Sequence, residues 1–117
     1  AKVTRGYRLA ARWVIHTVGP VWRDGTHGEP ARLSACYRRS LEEAARIGAK
    51  SIALPAISTG AFGFPMHLAA ATAASTVLDF AFKYAQPEQI LLVCYDRAAL
   101  RAYAAAWTSV LSNAPPN

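Results

Sequence analysis

The chain has 117 residues, 53% of them hydrophobic and 17% charged. That apolar share, with a charge fraction below the ~25% of ordinary domains, excludes intrinsic disorder and suits a single domain with one core. The formal net charge is +6, and ten of the thirteen cations are arginine, which favours anionic partners such as nucleotides.

Taken in chain order, residues from Thr4 to Leu9 read as a short strand. Trp13–Val18 is a stronger one, rich in β-branched and aromatic residues and stopped by Gly19-Pro20. A loop follows, with Gly25 and Gly28. Pro30–Ile47 reads as a helix with Pro30 in its first turn. Leu33, Tyr37, Leu41, Ala44 and Gly48 fall on one face, Arg38, Arg39, Glu42, Glu43 and Arg46 away from it. Gly48 supplies the stop.

Ser51–Ile57 is apolar without polar alternation, the pattern of a strand covered on both faces, with Pro55 near its end. Pro65–Tyr84 reads as a second helix, whose small residues from Ala69 to Ser75 allow close packing. Ile90–Tyr95 is another all-apolar strand, Asp96 an N-cap, and Arg97–Leu111 an amphipathic helix through Leu100, Tyr103 and Trp107. Residues 1–112 form the expected domain and 113–117 a disordered tail ending in Pro115-Pro116-Asn117.

This alternation predicts an α/β fold of three layers, a mostly parallel sheet flanked by helices. Ligands of such sheets sit at the carboxyl ends of the strands. The loops of interest therefore follow Val18, Ile57 and Tyr95.

The second of these loops is Ser58-Thr59-Gly60-Ala61-Phe62-Gly63-Phe64-Pro65. Its glycines let the backbone turn tightly and approach a ligand. Successive amides can form a concave anion nest, the helix N-terminus adds partial positive charge, and Ser58 and Thr59 add hydroxyls. Such a site suits a diphosphate. It is neither GxxxxGK[ST] nor GxGxxG, and the same glycines would serve a tight turn with no ligand. Phe64 and Tyr95 flank it, and an aromatic at a strand's carboxyl end can stack on a base.

The remaining candidates are bland. His16, among apolar neighbours, is expected to be buried and hydrogen-bonded. His27 and His67 show no acidic or Cys partner at ligand spacing, so no metal is expected. Cys36 and Cys94, without a CxxC, exclude a disulfide framework or zinc cluster and fit a reducing cytoplasm. Cys94 lies in an apolar strand, where a low thiol pKa is not expected. No apolar run reaches the ~18 residues of a membrane span, and no signal peptide opens the chain. Nucleic acid is not an expected partner, because the cations look scattered, Arg38-Arg39 being the only adjacent pair.

Three segments carry a resemblance: Ala1-Lys2-Val3-Thr4-Arg5-Gly6-Tyr7-Arg8-Leu9, then Val14-Ile15-His16-Thr17-Val18-Gly19-Pro20-Val21-Trp22, then Leu54-Pro55-Ala56-Ile57 running into the loop. In order and spacing they resemble the macrodomain, the ADP-ribose-binding module, of the bacterial MacroD-like class. Cys36-Tyr37 through Leu41 fits the intervening helix. The resemblance implies that Ser58, Thr59, Gly60, Ala61, Phe62, Gly63 and Phe64 hold the diphosphate and distal ribose of ADP-ribose or a related nucleotide. Phe64 would lie against that ribose and Tyr95 near the adenine.

The family includes hydrolases acting at the distal ribose, among them O-acetyl-ADP-ribose deacetylases. Their Asn-rich segment and Gly-rich catalytic loop have no counterpart here. The only asparagines are Asn113 and Asn117, and no Gly-Gly pair occurs. The expectation is an N-terminally truncated macrodomain that binds ADP-ribose, with no catalytic residue, cofactor or metal assigned. The alternative is a non-catalytic dimeric scaffold with an empty phosphate loop. In the family a strand lies between those at Trp13–Val18 and Ser51–Ile57. Without it, the two would pair directly in a rearranged sheet, or a second copy would complete the sheet as a homodimer.

Overall fold

The computed structural model describes residues 1–8 and 10–113. Seven elements follow one another: β1 (Lys2–Arg5), β2 (Trp13–His16), α1 (Glu29–Arg46), β3 (Ser51–Leu54), α2 (Met66–Lys83), β4 (Gln89–Leu92) and α3 (Arg97–Ser112). The α/β alternation is as expected; the strand read at Thr4–Leu9 lies instead at Lys2–Arg5 and pairs with β2 as an N-terminal hairpin. Leu9 and residues 114–117 of the expected tail lie outside the described residues, while Asn113 serves as the C-cap of α3.

The strands form two separate pairs. β1 and β2 are antiparallel, Lys2 opposite His16 and Arg5 opposite Trp13. β3 and β4 are parallel, Ser51 opposite Gln89 and Leu54 opposite Leu92, with α2 as their crossover. The direct pairing of β2 with β3 is not found. Both strands instead pack against α1, which spans the gap between the pairs.

The core sits between the helices and one face of the parallel pair. Leu33, Tyr37, Leu41 and Ala44 form a fully buried stripe along α1. Ala69, Ala70, Ala73, Val77 and Phe80 of α2 meet them, with Leu54, Phe64 and Tyr103. Alanines at the contact let backbones come close, which is why α2 can pack on both α1 and α3. Coverage of β3 and β4 on both faces is corrected. Ile52, Leu54, Ile90 and Leu92 pack on the core, whereas Ala53 is exposed and Leu91 is 48% exposed. Helices cover one side of this pair only, so the pleat sends alternate side chains outward.

The ends of α1 are fixed by distinct devices. At its C-terminus Gly48 adopts φ 71°, its N–H donates to the Ala45 carbonyl at 3.1 Å, and that of Ala49 to Ala44 at 2.9 Å. These two bonds satisfy carbonyls the helix leaves free, and the left-handed turn favours glycine. At the N-terminus Glu29 is buried, and its carboxylate gathers the preceding loop. One oxygen accepts from the backbone N–H groups of Arg23, Asp24 and Gly25, the other from that of His27. Burial alone would raise its pKa. The N–H groups of Gly25, Arg23, Glu29 itself and His27 overcome this and hold it down at about 2.

A depressed carboxylate pKa stabilises the fold above the unfolded-state value, and that contribution disappears as pH falls through the folded one. Thermal melts should therefore lose stability between the ordinary value of 4.5 and about 2. In Glu29→Gln the loss over that window should be smaller and the midpoint at neutral pH lower. Equal pH profiles for the two proteins would refute the assignment.

Candidate ligand-binding loop

The segment between β3 and α2 is set by a buried hydroxyl. Tyr37, fully buried on α1, donates its O–H to the Pro55 carbonyl at 2.8 Å and accepts the Ile57 N–H at 3.0 Å. The Tyr103 hydroxyl lies 3.3 Å away. Burial, with Tyr103 alongside, pushes the Tyr37 hydroxyl above the usual tyrosine range, so it stays protonated and able to donate. Pro55, which cannot join the ladder, marks where β3 ends and this cross-chain anchoring begins.

Beyond Ile57 the backbone turns sharply. Ser58 takes φ 68° and Gly63 φ 72°. The Phe64 N–H donates to the Ser58 carbonyl and that of Gly63 to the Gly60 carbonyl, both at 2.9 Å, which closes the loop on itself. Thr59 folds back, its hydroxyl donating to the Ala56 carbonyl at 2.8 Å. The Trp22 N–H donates to the Phe62 carbonyl at 2.8 Å, and the Trp22 ring packs on Phe64 with centroids 4.8 Å apart. A side chain at Gly19 would collide with the Ser58 hydroxyl and Ile57, so the turn after β2 fits directly beside the loop.

Three consecutive N–H groups, of Gly60, Ala61 and Phe62, donate to nothing among the described residues, and all three residues are exposed. α2 begins at Met66, after Pro65 at the cap position, without a side-chain cap and with no acidic residue in its first turn. Its first N–H groups and the positive end of its dipole thus face the same end of the sheet. The Ser58 hydroxyl is buried with no partner among the described residues. Unpaired amides, an uncapped helix start and an orphan hydroxyl are thus the unsatisfied polar groups of this segment, all of them donors.

The sequence candidates divide. Ser58, Thr59, Gly60, Ala61, Phe62 and Gly63 are brought together in one turn. Phe64 is 2% exposed, its ring held in the core by Trp22 rather than offered to the loop's surface. Tyr95 follows β4 at the same carboxyl end of the parallel pair but is 98% exposed. Asp96 is a cap, accepting the Ala99 N–H at 2.8 Å.

His16 is corrected. It is exposed, not buried, because β2 has no strand on its second edge, and its ring bonds Thr4 Oγ1 at 2.8 Å. His27 does have acidic partners. Its Nδ1 lies 2.9 Å from Asp24 Oδ1, with Glu29 close by. Glu29 is committed to backbone amides, so the trio latches a loop and carries no metal assignment. Cys36 is buried and donates its S–H to the Val18 carbonyl at 3.2 Å, and Cys94 is half-buried. Among the described residues no helix is long and apolar enough to cross a membrane. Trp22 was missed as a loop-positioning residue. Its signal was position alone, just after Gly19-Pro20.

The Macro domain family model matches residues 1–73. The chain is 49% identical over 111 residues to a macro domain-containing protein of Methanosarcina mazei, covering 95% of this chain and 59% of that protein. It is 54% identical over 103 residues to the O-acetyl-ADP-ribose deacetylase of Escherichia fergusonii, covering 88% and 58%. The chain thus spans a little under three-fifths of the length of these relatives. Among solved structures, the Oceanobacillus iheyensis macrodomain with ADP superposes with a TM-score of 0.91 at 31% identity, covering 97% of this chain and 59% of that one.

Two substitutions probe the loop's framework. Tyr37→Phe should cost about 1–3 kcal/mol in denaturant unfolding, because it strips a buried N–H and a carbonyl of one partner. Ser58→Gly should stabilise by about 1 kcal/mol, since glycine adopts a positive φ freely and the orphan hydroxyl is removed. A destabilised Ser58→Gly protein would show that the hydroxyl has a partner in solution.

Proposed function

Because the chain belongs to the macrodomain family, we propose that its β3–α2 loop binds the diphosphate of ADP-ribose. The observation that carries this reading is the row of free N–H groups at Gly60, Ala61 and Phe62, beside the uncapped start of α2. A diphosphate offers several acceptor oxygens to such a row, and each charge-assisted bond is stronger than a neutral one. The unpartnered Ser58 hydroxyl stands at its near end as a donor, while Thr59, whose hydroxyl donates to Ala56, holds the turn. In this reading Tyr95 supplies a ring for the adenine and Phe64 acts from below, as the wedge that fixes the loop's height.

The assignment is to binding. We assign no residue of this chain to catalysis, although the relative from E. fergusonii carries a deacetylase name. The free edges of β2 and β3 support a second reading in part, that two copies of the chain pair along them. The alternative of an empty scaffold differs from the binding reading in one measurable respect, its indifference to ligand.

Calorimetry with ADP-ribose should give saturable binding, and Gly60→Glu should abolish it. The variant is a clean one. A Cβ at Gly60 meets nothing within 4 Å and the residue has no positive φ, so the fold should melt as before while a carboxylate fills the anion site. O-acetyl-ADP-ribose should remain uncleaved over the same period. Absence of heat at millimolar ligand, or undiminished binding by Gly60→Glu, would overturn the proposal.

A further inference from the structure

The N-terminal hairpin gathers charge that looks dispersed in the sequence. No acidic residue precedes Asp24. Lys2 and Arg5 lie on β1, and Arg8 and Arg12 between β1 and β2, all exposed. None takes part in an ion pair among the described residues, whereas Arg38, Arg46 and Lys83 each have an acidic partner on their own helix.

Exposed aromatic rings accompany these cations. Tyr7 is 86% exposed and Trp13 42%. The antiparallel register sets Arg5 directly opposite Trp13, on the same face of the pair, so guanidinium and indole are cross-strand neighbours. The tip is held in shape by the Gly6 N–H, which donates to the Arg12 carbonyl at 2.8 Å, and a side chain at Gly6 would strike the Ala11 carbonyl.

We propose that this hairpin is a docking surface for single-stranded nucleic acid. Cations would pair with phosphates while Trp13 and Tyr7 offer faces on which bases stack. The charges are mainly arginine, whose planar fork matches phosphate oxygens. Arg8 and Arg12 stand between Tyr7 and Trp13 in the chain, an order that disfavours a continuous apolar patch for insertion into a lipid surface. The surface is distinct from the diphosphate loop. β2 carries the chain about 10 Å from Trp13 to His16, and Gly19, which lies beside Ser58, comes three residues further on.

The test is fluorescence anisotropy with labelled oligouridylate and oligothymidylate of about 12 nucleotides, within the usual range of single-strand sites. Four phosphate contacts predict a slope of about −3 for log affinity against log salt. Arg8→Glu with Arg12→Glu should weaken binding at least about tenfold and flatten that slope by about 1 or more. Arg39→Glu with Lys50→Glu makes the same charge change at exposed sites elsewhere and should weaken it less than about twofold. Trp13→Ala should lose about tenfold with the slope kept. Saturating ADP-ribose should leave the oligonucleotide bound, so the result is independent of the proposal for the loop. No binding at low salt, equal losses in the two double variants, or displacement by ADP-ribose would overturn the inference. So would tighter binding to anionic phospholipid vesicles or to polyglutamate.

Discussion

A single buried hydroxyl ties this fold to its candidate site. Tyr37 is anchored in α1 by the same apolar stripe that forms the core, and its O–H reaches out of that stripe to the backbone just past β3. A buried polar atom is costly unless satisfied. Here satisfaction requires Pro55, Ile57 and Tyr103 to stand at set distances, so packing of the helices fixes where the strand stops. The turn at Ser58 and the free amides beyond it inherit that position. The start of the loop is thus placed by the core, and its own bonds with Trp22 and within the turn close it from there.

The helices dominate what surrounds this anchor. α1 contacts both strand pairs and α2, and α2 contacts α1 and α3 through fully buried alanines. Four-residue strands in two unconnected pairs would be marginal by themselves. They persist because their inner residues finish the helical core. The outer side of the parallel pair is left apolar and open at Ala53, Leu91 and Val93. A similar division applies at the other end of α1, where Glu29 converts a loop of irregular backbone into a closed set of hydrogen bonds.

Much of this was legible in the sequence, for stated reasons. The helix faces followed from the spacing of Leu33, Tyr37, Leu41 and Ala44, and the caps at Gly48 and Asp96 from residue chemistry. Each strand was read longer than it is, because apolar composition continues past the last ladder bond. Ile57 stays apolar although β3 ends at Leu54. Burial of His16 and two-sided coverage of β4 failed because composition reports which side chains tolerate burial, not which neighbours are there to bury them. The tight turn of the loop was visible in the glycines and hydroxyls of Ser58–Phe64. Its supports were not. Tyr37 and Trp22 act through geometry across the fold, and Glu29's acceptor role depends on a loop conformation that spacing does not encode.

The packing of Trp22 on Phe64 has an optical consequence. The indole rests against Phe64 at the end of the loop, and the main-chain N–H of Trp22 donates to the Phe62 carbonyl. Any rearrangement of the loop must pass through that ring, changing the polarity and quenching around it. The fold therefore contains an intrinsic chromophore beside the loop, and with Trp13 and Trp107 replaced, Trp22 emission would report the state of the loop without an added label.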